Sequence, residues 1–260
     1  MARERRAPAD REVVPGDREG AWLVRTGGRD QSMVDLREPV RLAFDYVQRL
    51  AAALDAVLDA RPPATGTAQV VHVGGAGLTL PRYVAATRPG TRQVVLEPDE
   101  ELTALVREHL PLPQRSGIRV RPQDGVAGVA ALPDGRADCV VVDAYDDGAV
   151  PPALLGTAHL HDVRRALAAD GCVLLNVADE APWPTVRAAV AGLRSVFGSV
   201  SAGAEPATLR GRRPGNVLLM AGARTPWREV ARAATTAASP YTVLDEQATQ
   251  DRFGGGDALP

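Results

Sequence analysis

Val70-Val71-His72-Val73-Gly74-Gly75-Ala76-Gly77-Leu78-Thr79-Leu80-Pro81 is an apolar, β-branched run that enters a turn of small residues and then a helical pattern. A strand feeding such a turn needs glycine, because the turn adopts unusual backbone angles and lets a ligand approach the main chain without a Cβ in the way. Gly74, Gly75, Ala76 and Gly77 are therefore candidate cradle residues at the carboxyl end of a first strand. The bland alternative is a tight strand-to-helix turn that holds nothing. Gly75-Ala76-Gly77-Leu78-Thr79-Leu80 satisfies only the first part of Gly-x-Gly-x-x-Gly, which makes a nicotinamide dinucleotide a distant reading.

Outward from this turn, short apolar runs alternate with helical periodicity. Strands are predicted at 69–73, 93–97, 118–121, 139–143 and 172–177, with helices around 80–87, 99–109, 124–131, 152–169 and 184–197. Such alternation implies a parallel sheet covered on both faces. Near the end, 200–202 with Thr208-Leu209 and 216–221 flank Gly211-Arg212-Arg213-Pro214-Gly215, a hairpin that closes the sheet antiparallel. The predicted class is α/β: a Rossmann-like, S-adenosylmethionine-dependent methyltransferase fold, with a mostly parallel seven-stranded sheet and an N-terminal β-hairpin extension. Upstream, residues 1–19 are charged, proline-bearing and without apolar period, and read as a flexible tail. Trp22-Leu23-Val24 and Gln31-Ser32-Met33-Val34 flank Thr26-Gly27-Gly28-Arg29-Asp30 as a hairpin. Val40, Phe44, Val47, Leu50, Leu54 and Leu58 share one helical face from Pro39 to about Ala60, where Pro62-Pro63 ends the helix. The predicted units are a tail (1–19), hairpin plus helix (20–65) and a nucleoside-binding domain (66–260).

Composition narrows the chemistry. The 260 residues carry a formal charge of -2 with 45% hydrophobic and 24% charged residues, an ordinary globular balance with no bulk attraction to nucleic acid or anionic membranes. All 30 basic residues are arginine, which removes Schiff-base and phosphate-loop lysine chemistry. Cys139 and Cys172 lie inside apolar runs and read as buried thiols. No apolar run of about 18 residues occurs, and Met1-Ala2-Arg3-Glu4-Arg5-Arg6 lacks the apolar stretch of a secretion signal, so a cytoplasmic protein is predicted.

Four further places carry candidate chemistry. Glu97 closes the second strand about 20 residues beyond the glycines, where a carboxylate bonds ribose hydroxyls; Asp99 is the better helix cap. Asp124, followed by Gly125, is either an adenine-amine acceptor or a helix cap. Asp143 ends Val140-Val141-Val142 and opens a loop with Asp146 and Asp147. Crowded carboxylates at a strand's carboxyl end repel unless they share a cation or proton, which points to a positively charged substrate; the alternative is a solvated acidic turn. Asn176 ends the fifth strand at the same edge. His159 and His161 have the wrong spacing for one helical face and no cysteine pair, so no metal is predicted. His72 reads as a core or site-lining residue. Ser32 lacks an identifiable His/Asp pair and no Gly-x-Ser-x-Gly occurs, which argues against hydrolysis.

Taken in order, Trp22-Leu23, Gln31-Ser32, Phe44-Asp45-Tyr46, Gly74-Gly75-Ala76-Gly77, Glu97, Asp124-Gly125 and Asp143-x-x-Asp146 resemble the landmarks of the spermidine synthase (aminopropyltransferase) family, from about residue 22 to 222. The resemblance implies transfer of an aminopropyl group from decarboxylated S-adenosylmethionine to an amine such as putrescine, and a homodimer. It implies that Glu97 binds ribose, Asp124 adenine, and that Asp143 is the base or orienter, with Gln31, Tyr46 and Asp146 beside the substrate. The chain departs from the family in three places. Gly77 stands where the family has an acid, Tyr46-Val47-Gln48 replaces Tyr-Gln-Glu or Tyr-His-Glu, and Asp147-Gly148-Ala149-Val150-Pro151 replaces Pro-x-Gly-Pro. Two alternatives stay open: methyl transfer from intact S-adenosylmethionine to a small molecule, and a non-catalytic nucleoside-binding protein.

Overall fold

Eight strands order as β11-β9-β10-β8-β7-β4-β5-β6 in the main sheet of a computed structural model that describes residues 10–61 and 66–260. The parallel half comprises β4 (Gln69–Val73), β5 (Arg92–Leu96), β6 (Ile118–Arg121), β7 (Ala137–Val142) and β8 (Leu167–Asp179). The antiparallel half adds β10 (Gly215–Gly222), β9 (Ser201–Ala204) and β11 (Thr242–Leu244). Central strands are buried on both faces, which is why they read as continuous Val and Leu runs rather than alternating ones. Val71 and Val73 of β4 enter one core with α4 (Gly125–Ala130), α5 (Thr157–Ala166) and α6 (Pro184–Phe197). Val70 enters the other, with α1 (Asp45–Asp59), α2 (Thr79–Thr87) and α8 (Trp227–Ala234).

A separate three-stranded sheet, β1 (Arg11–Pro15), β2 (Ala21–Thr26) and β3 (Arg29–Asp35), lies at the N-terminus. Its Val24 and Val34 pack on Leu78, Val95 and the apolar face of α3 (Glu100–His109) in a third core. The predicted tail is thus corrected in its later part. Residues 11–15 pair antiparallel with β2, from Arg11↔Thr26 to Pro15↔Trp22, and Arg11 bonds Asp99 and Glu101 of the α3 region at 2.7 Å each. Residues 1–9, and the predicted Pro62-Pro63 stop, lie outside the described residues.

Other boundaries shift for local reasons. The first helix starts at Asp45 rather than Pro39, and Val40 is 46% exposed, so it contributes nothing to the buried face. The predicted 152–169 helix divides into a 3₁₀ turn at Pro152–Leu154 and α5, because Gly156 caps α5 and Leu167 already opens β8. Thr208 and Leu209 are helical, in α7 (Pro206–Leu209), where Pro206 sets the first turn. Beyond the seven predicted strands, β11 extends the sheet at its edge, and α9 (Glu246–Phe253) buries Phe253 in the first core.

Candidate active site

The carboxyl ends of β5, β4 and β7 form the site's floor. Hydrogen bonds continue the ladder one residue past the strands: Gly74 N–H to Leu96 O, 2.9 Å; Asp143 N–H to Val73 O, 2.9 Å; Glu97 N–H to Arg121 O, 3.1 Å. In register, Glu97 and Asp143 therefore flank Gly74 from its two neighbours. By the two-residue period they follow Val95 and Val141, which face the hairpin and α1 sides of the same sheet face. Gly74 has φ +92°, and a Cβ there would lie 2.3 Å from the Asp143 carbonyl oxygen. The main chain can cross so close only without a side chain.

Glu97 holds the turn. Its Oε2 accepts from the Gly75 and Ala76 N–H groups at 2.9 and 3.2 Å, and Oε1 accepts from Asp99 N–H at 3.0 Å. Asp99 caps α3 through Leu102 N–H at 2.9 Å, the role its position suggested. Asp124 is exposed after edge strand β6 and caps α4, Oδ1 accepting from Val126 and Ala127 N–H at 2.9 and 3.3 Å. Gly125 beside it is buried, and a Cβ would meet Val73 Cγ1 at 2.4 Å.

Asp143 differs from both. Burial pushes its carboxyl up from 3.8 to about 6, against a hydrogen bond from Asn176 Nδ2 to Oδ1 at 2.9 Å. The register Val142↔Leu175 makes that pairing, since Asp143 and Asn176 follow adjacent partners. Tyr46, in the first turn of α1, and Tyr145 both have phenols pushed up by burial and then by the charge on Asp143. The Tyr145 hydroxyl is fixed by Ala178 N–H at 3.1 Å, donating towards Asn176 O at 3.2 Å and Asn216 Oδ1 at 3.5 Å.

The predicted crowding of Asp143, Asp146 and Asp147 is corrected. Asp146 and Asp147 are exposed on a turn closed between Asp146 and Ala149, with φ +54° at Asp147 and +83° at Gly148. Asp143's raised proton affinity comes from desolvation, not from these neighbours. Arg29, from the β2–β3 tip, reaches this turn and donates to Asp147 O at 3.1 Å.

Gln31 is the extra residue of a β-bulge, since Val24 pairs Ser32 while Arg25 pairs Asp30. Bulges re-aim side chains next to active sites. The following Ser32 Oγ accepts from Gly77 N–H at 3.1 Å, and a Cβ at Gly77 would sit 2.8 Å from Ser32 Cβ and 3.0 Å from Val24 and Val34. The hairpin thus seats directly on the turn, and any acid at 77 would displace it. Thr79 Oγ1 donates to Met33 O at 3.0 Å, and buried Arg82 donates to the carbonyls of Gly77, Leu110 and Pro111. Among the described residues no carboxylate pairs with it, and burial lowers its guanidinium to about 10.

His72 is a core residue, its Nε2 at 3.0 Å from Gln93 Oε1 and its ring lowered to about 4 by burial. His159 is buried with neither ring nitrogen hydrogen-bonded, and His161 is exposed. Among the described residues no group of three or more His, Cys, Asp or Glu is placed to hold a metal ion. Tyr145, Asn216 and Arg29 escaped the sequence reading. Only the polar end of the Cys172–Leu175 run hinted at Asn176.

No protein-family model matches the chain. Two curated proteins, the polyamine aminopropyltransferases of Neisseria meningitidis serogroups A and B, are each 24% identical over 147 residues, or 56% of this chain. The chain spans about half the length of these relatives, 53% of each. A probable spermidine synthase from Corynebacterium glutamicum superposes at TM-score 0.88 with 26% identity, covering 96% of this chain and 92% of that one. Spermidine synthase from Thermotoga maritima superposes at TM-score 0.60 with 14% identity, over 99% and 83% of the two chains, a likeness of fold. Human methyltransferase-like protein 13 in complex with SAH gives 0.57 at 22% identity over 70% and 83%, again a likeness of fold. In fold, and in its likeness to the Corynebacterium protein, this chain is thus similar to the spermidine synthases.

Proposed function

We propose that the protein is a transferase that moves an aminopropyl group from decarboxylated S-adenosylmethionine to a small amine. The observation that carries this reading is Asp143: a carboxylate with a proton affinity near neutrality, held by Asn176 in register with a glycine cradle and a ribose-type acid. The turn from Gly74 to Gly77 follows the carboxyl end of β4, the edge at which open α/β sheets take nucleoside ligands. Glu97 keeps about one lone-pair site, on Oε1, beyond its three backbone bonds for a ribose hydroxyl, and Asp124 stands at the far strand for adenine.

A sulfonium carries its own leaving group, so the protein's task is alignment and proton removal. The amine nitrogen forms a bond to the carbon next to sulfur, the C–S bond breaks with its electron pair going to sulfur, and the amine proton passes to Asp143. A base near 6 is ionised at neutral pH yet close enough in affinity to accept that proton, a contribution of about 10²–10⁴-fold. On this reading Tyr46, whose phenol feels the charge on Asp143, lies beside the amine, with Gln31 and Asp146 assigned to the substrate by the resemblance alone.

A second reading is methyl transfer: no residue of the Gly74–Gly77 turn carries an acid, so the carboxylate of intact S-adenosylmethionine meets no like charge from it. Incubation with each donor and an amine panel separates the two, since methylthioadenosine marks the first and S-adenosylhomocysteine the second. Asp143→Asn lowers turnover by about 10²–10⁴-fold while methylthioadenosine binding, measured by calorimetry, stays within about twofold. Undiminished turnover in that variant removes Asp143 from the reaction.

A further inference from the structure

At the opposite edge of the sheet, where the parallel strands begin, lies a cleft of about 630 Å³. It is bounded by the last turn of α1, the starts of β4, β7 and β8, and the loop from β10 into α8. Sites for small ligands run about 300–1,000 Å³, so the volume is that of a metabolite. Its charge is uneven. Arg61, Arg136, Arg224 and Arg228 line it against Asp138, Asp170 and Glu229.

The acids are largely spent. Asp138 bonds Arg61 and the Gln69 N–H, each at 2.7 Å, and Glu229 accepts from Arg232 at 3.0 Å. Three of the cations are not. Among the described residues no carboxylate pairs with Arg136, Arg224 or Arg228. Arg224 donates only to the Ala60 carbonyl, at 3.1 Å, and Arg228 lies over the Trp227 ring at 4.5 Å. The same chain pairs its arginines with acids elsewhere, as in Arg18 with Asp35 and Glu38 or Arg88 with Asp55 and Asp59. Three guanidiniums lining one concavity with no carboxylate paired to them focus a positive potential into it. Their planar forks match carboxylate or phosphate oxygens in pairs, while Val57, Ala169 and Pro226 supply apolar wall.

We propose that this cleft is a second ligand site, separate from the glycine-turn edge, that binds a small polyanion bearing phosphate or several carboxylates. Calorimetric titration of the full chain with inorganic pyrophosphate and with citrate tests it, and the stronger probe identifies the source chemistry. Expected is saturable binding at low salt that weakens at least about tenfold between 20 and 200 mM salt. Arg136→Glu, which breaks no hydrogen bond of the fold, lowers affinity at least about tenfold, and Arg136→Glu with Arg224→Glu abolishes it. Arg107→Glu, an exposed control on α3, leaves it unchanged. Absence of binding by either probe, or equal binding by Arg136→Glu and the unaltered chain, overturns the proposal. Neither outcome touches the transferase reading, whose test lies at Asp143.

Discussion

Glu97 and Asp143 stand on either side of Gly74 at the same level of the sheet, yet they are carboxylates of opposite kinds. Glu97 is wrapped in three backbone N–H donors, two from the glycine turn and one from Asp99. Asp143 has one side-chain donor and is pushed up to about 6 by burial. Desolvation disfavours the charged form of a carboxylate, and that is what raises the proton affinity of Asp143. Position in the sheet thus does not decide what an acid does there; the main chain around it does. Glu97 braces the turn through its hydrogen bonds, and Asp143 carries a proton affinity raised to about 6.

The glycine between them is the sharpest place to break this arrangement. Gly74→Ala puts a Cβ 2.3 Å from the Asp143 carbonyl at φ +92°, combining left-handed strain with a backbone overlap that must shift β7. The expected cost is roughly 3–5 kcal/mol in denaturant unfolding. Gly75→Ala meets only the movable Val95 side chain at 2.9 Å and should cost far less. Equal losses at the two positions would mean that the turn, not the Asp143 crossing, sets the constraint.

Next in size is a gain. Asp143's folded proton affinity is raised from 3.8 to about 6, so its contribution to stability is present below 3.8 and lost as pH rises through 6. At pH 8 the ionised, buried carboxylate costs about 3 kcal/mol, which Asp143→Asn relieves. Thermal unfolding of that variant at pH 8 should lie roughly 6–10 °C above the unaltered chain, the difference vanishing near pH 4. A variant that is less stable at pH 8 would show that the charge is better solvated than its burial implies. Stability gained where turnover is lost is what a group held for chemistry rather than folding predicts.

Much of this architecture was legible because parallel strands buried on both faces leave unmistakable Val and Leu runs, and because a glycine turn must follow the first of them. The order of Gly74, Glu97, Asp124 and Asp143 followed from that alternation. What was hidden depends on contacts between distant segments. β1 is five residues ending in Pro15, too short and polar to stand out, and β11 is three residues. Gln31's bulge appears only when β2 and β3 are set in register. Gly77 read as a missing charge, whereas in space it is the contact point of the hairpin, with Ser32 bonding its N–H. Asp146 and Asp143 are three residues apart in the chain but divide between an exposed turn and a half-buried strand end. Spacing alone made them one cluster.

Asn176 gives the smallest expected effect and the most specific one. It is 1% exposed and reaches Asp143 only because β7 and β8 are parallel neighbours. Its amide stabilises the charged carboxylate against desolvation, so Asn176→Leu, similar in volume, should move Asp143 further up by about one pH unit, or about 1.4 kcal/mol. The acid limb of kcat/KM then shifts from near 6 towards 7, and activity recovers when the pH is raised. A side chain that acted on substrate instead would lower kcat/KM by the same factor at every pH. The shape of the pH profile, rather than the size of the loss, therefore decides whether Asn176 works through Asp143.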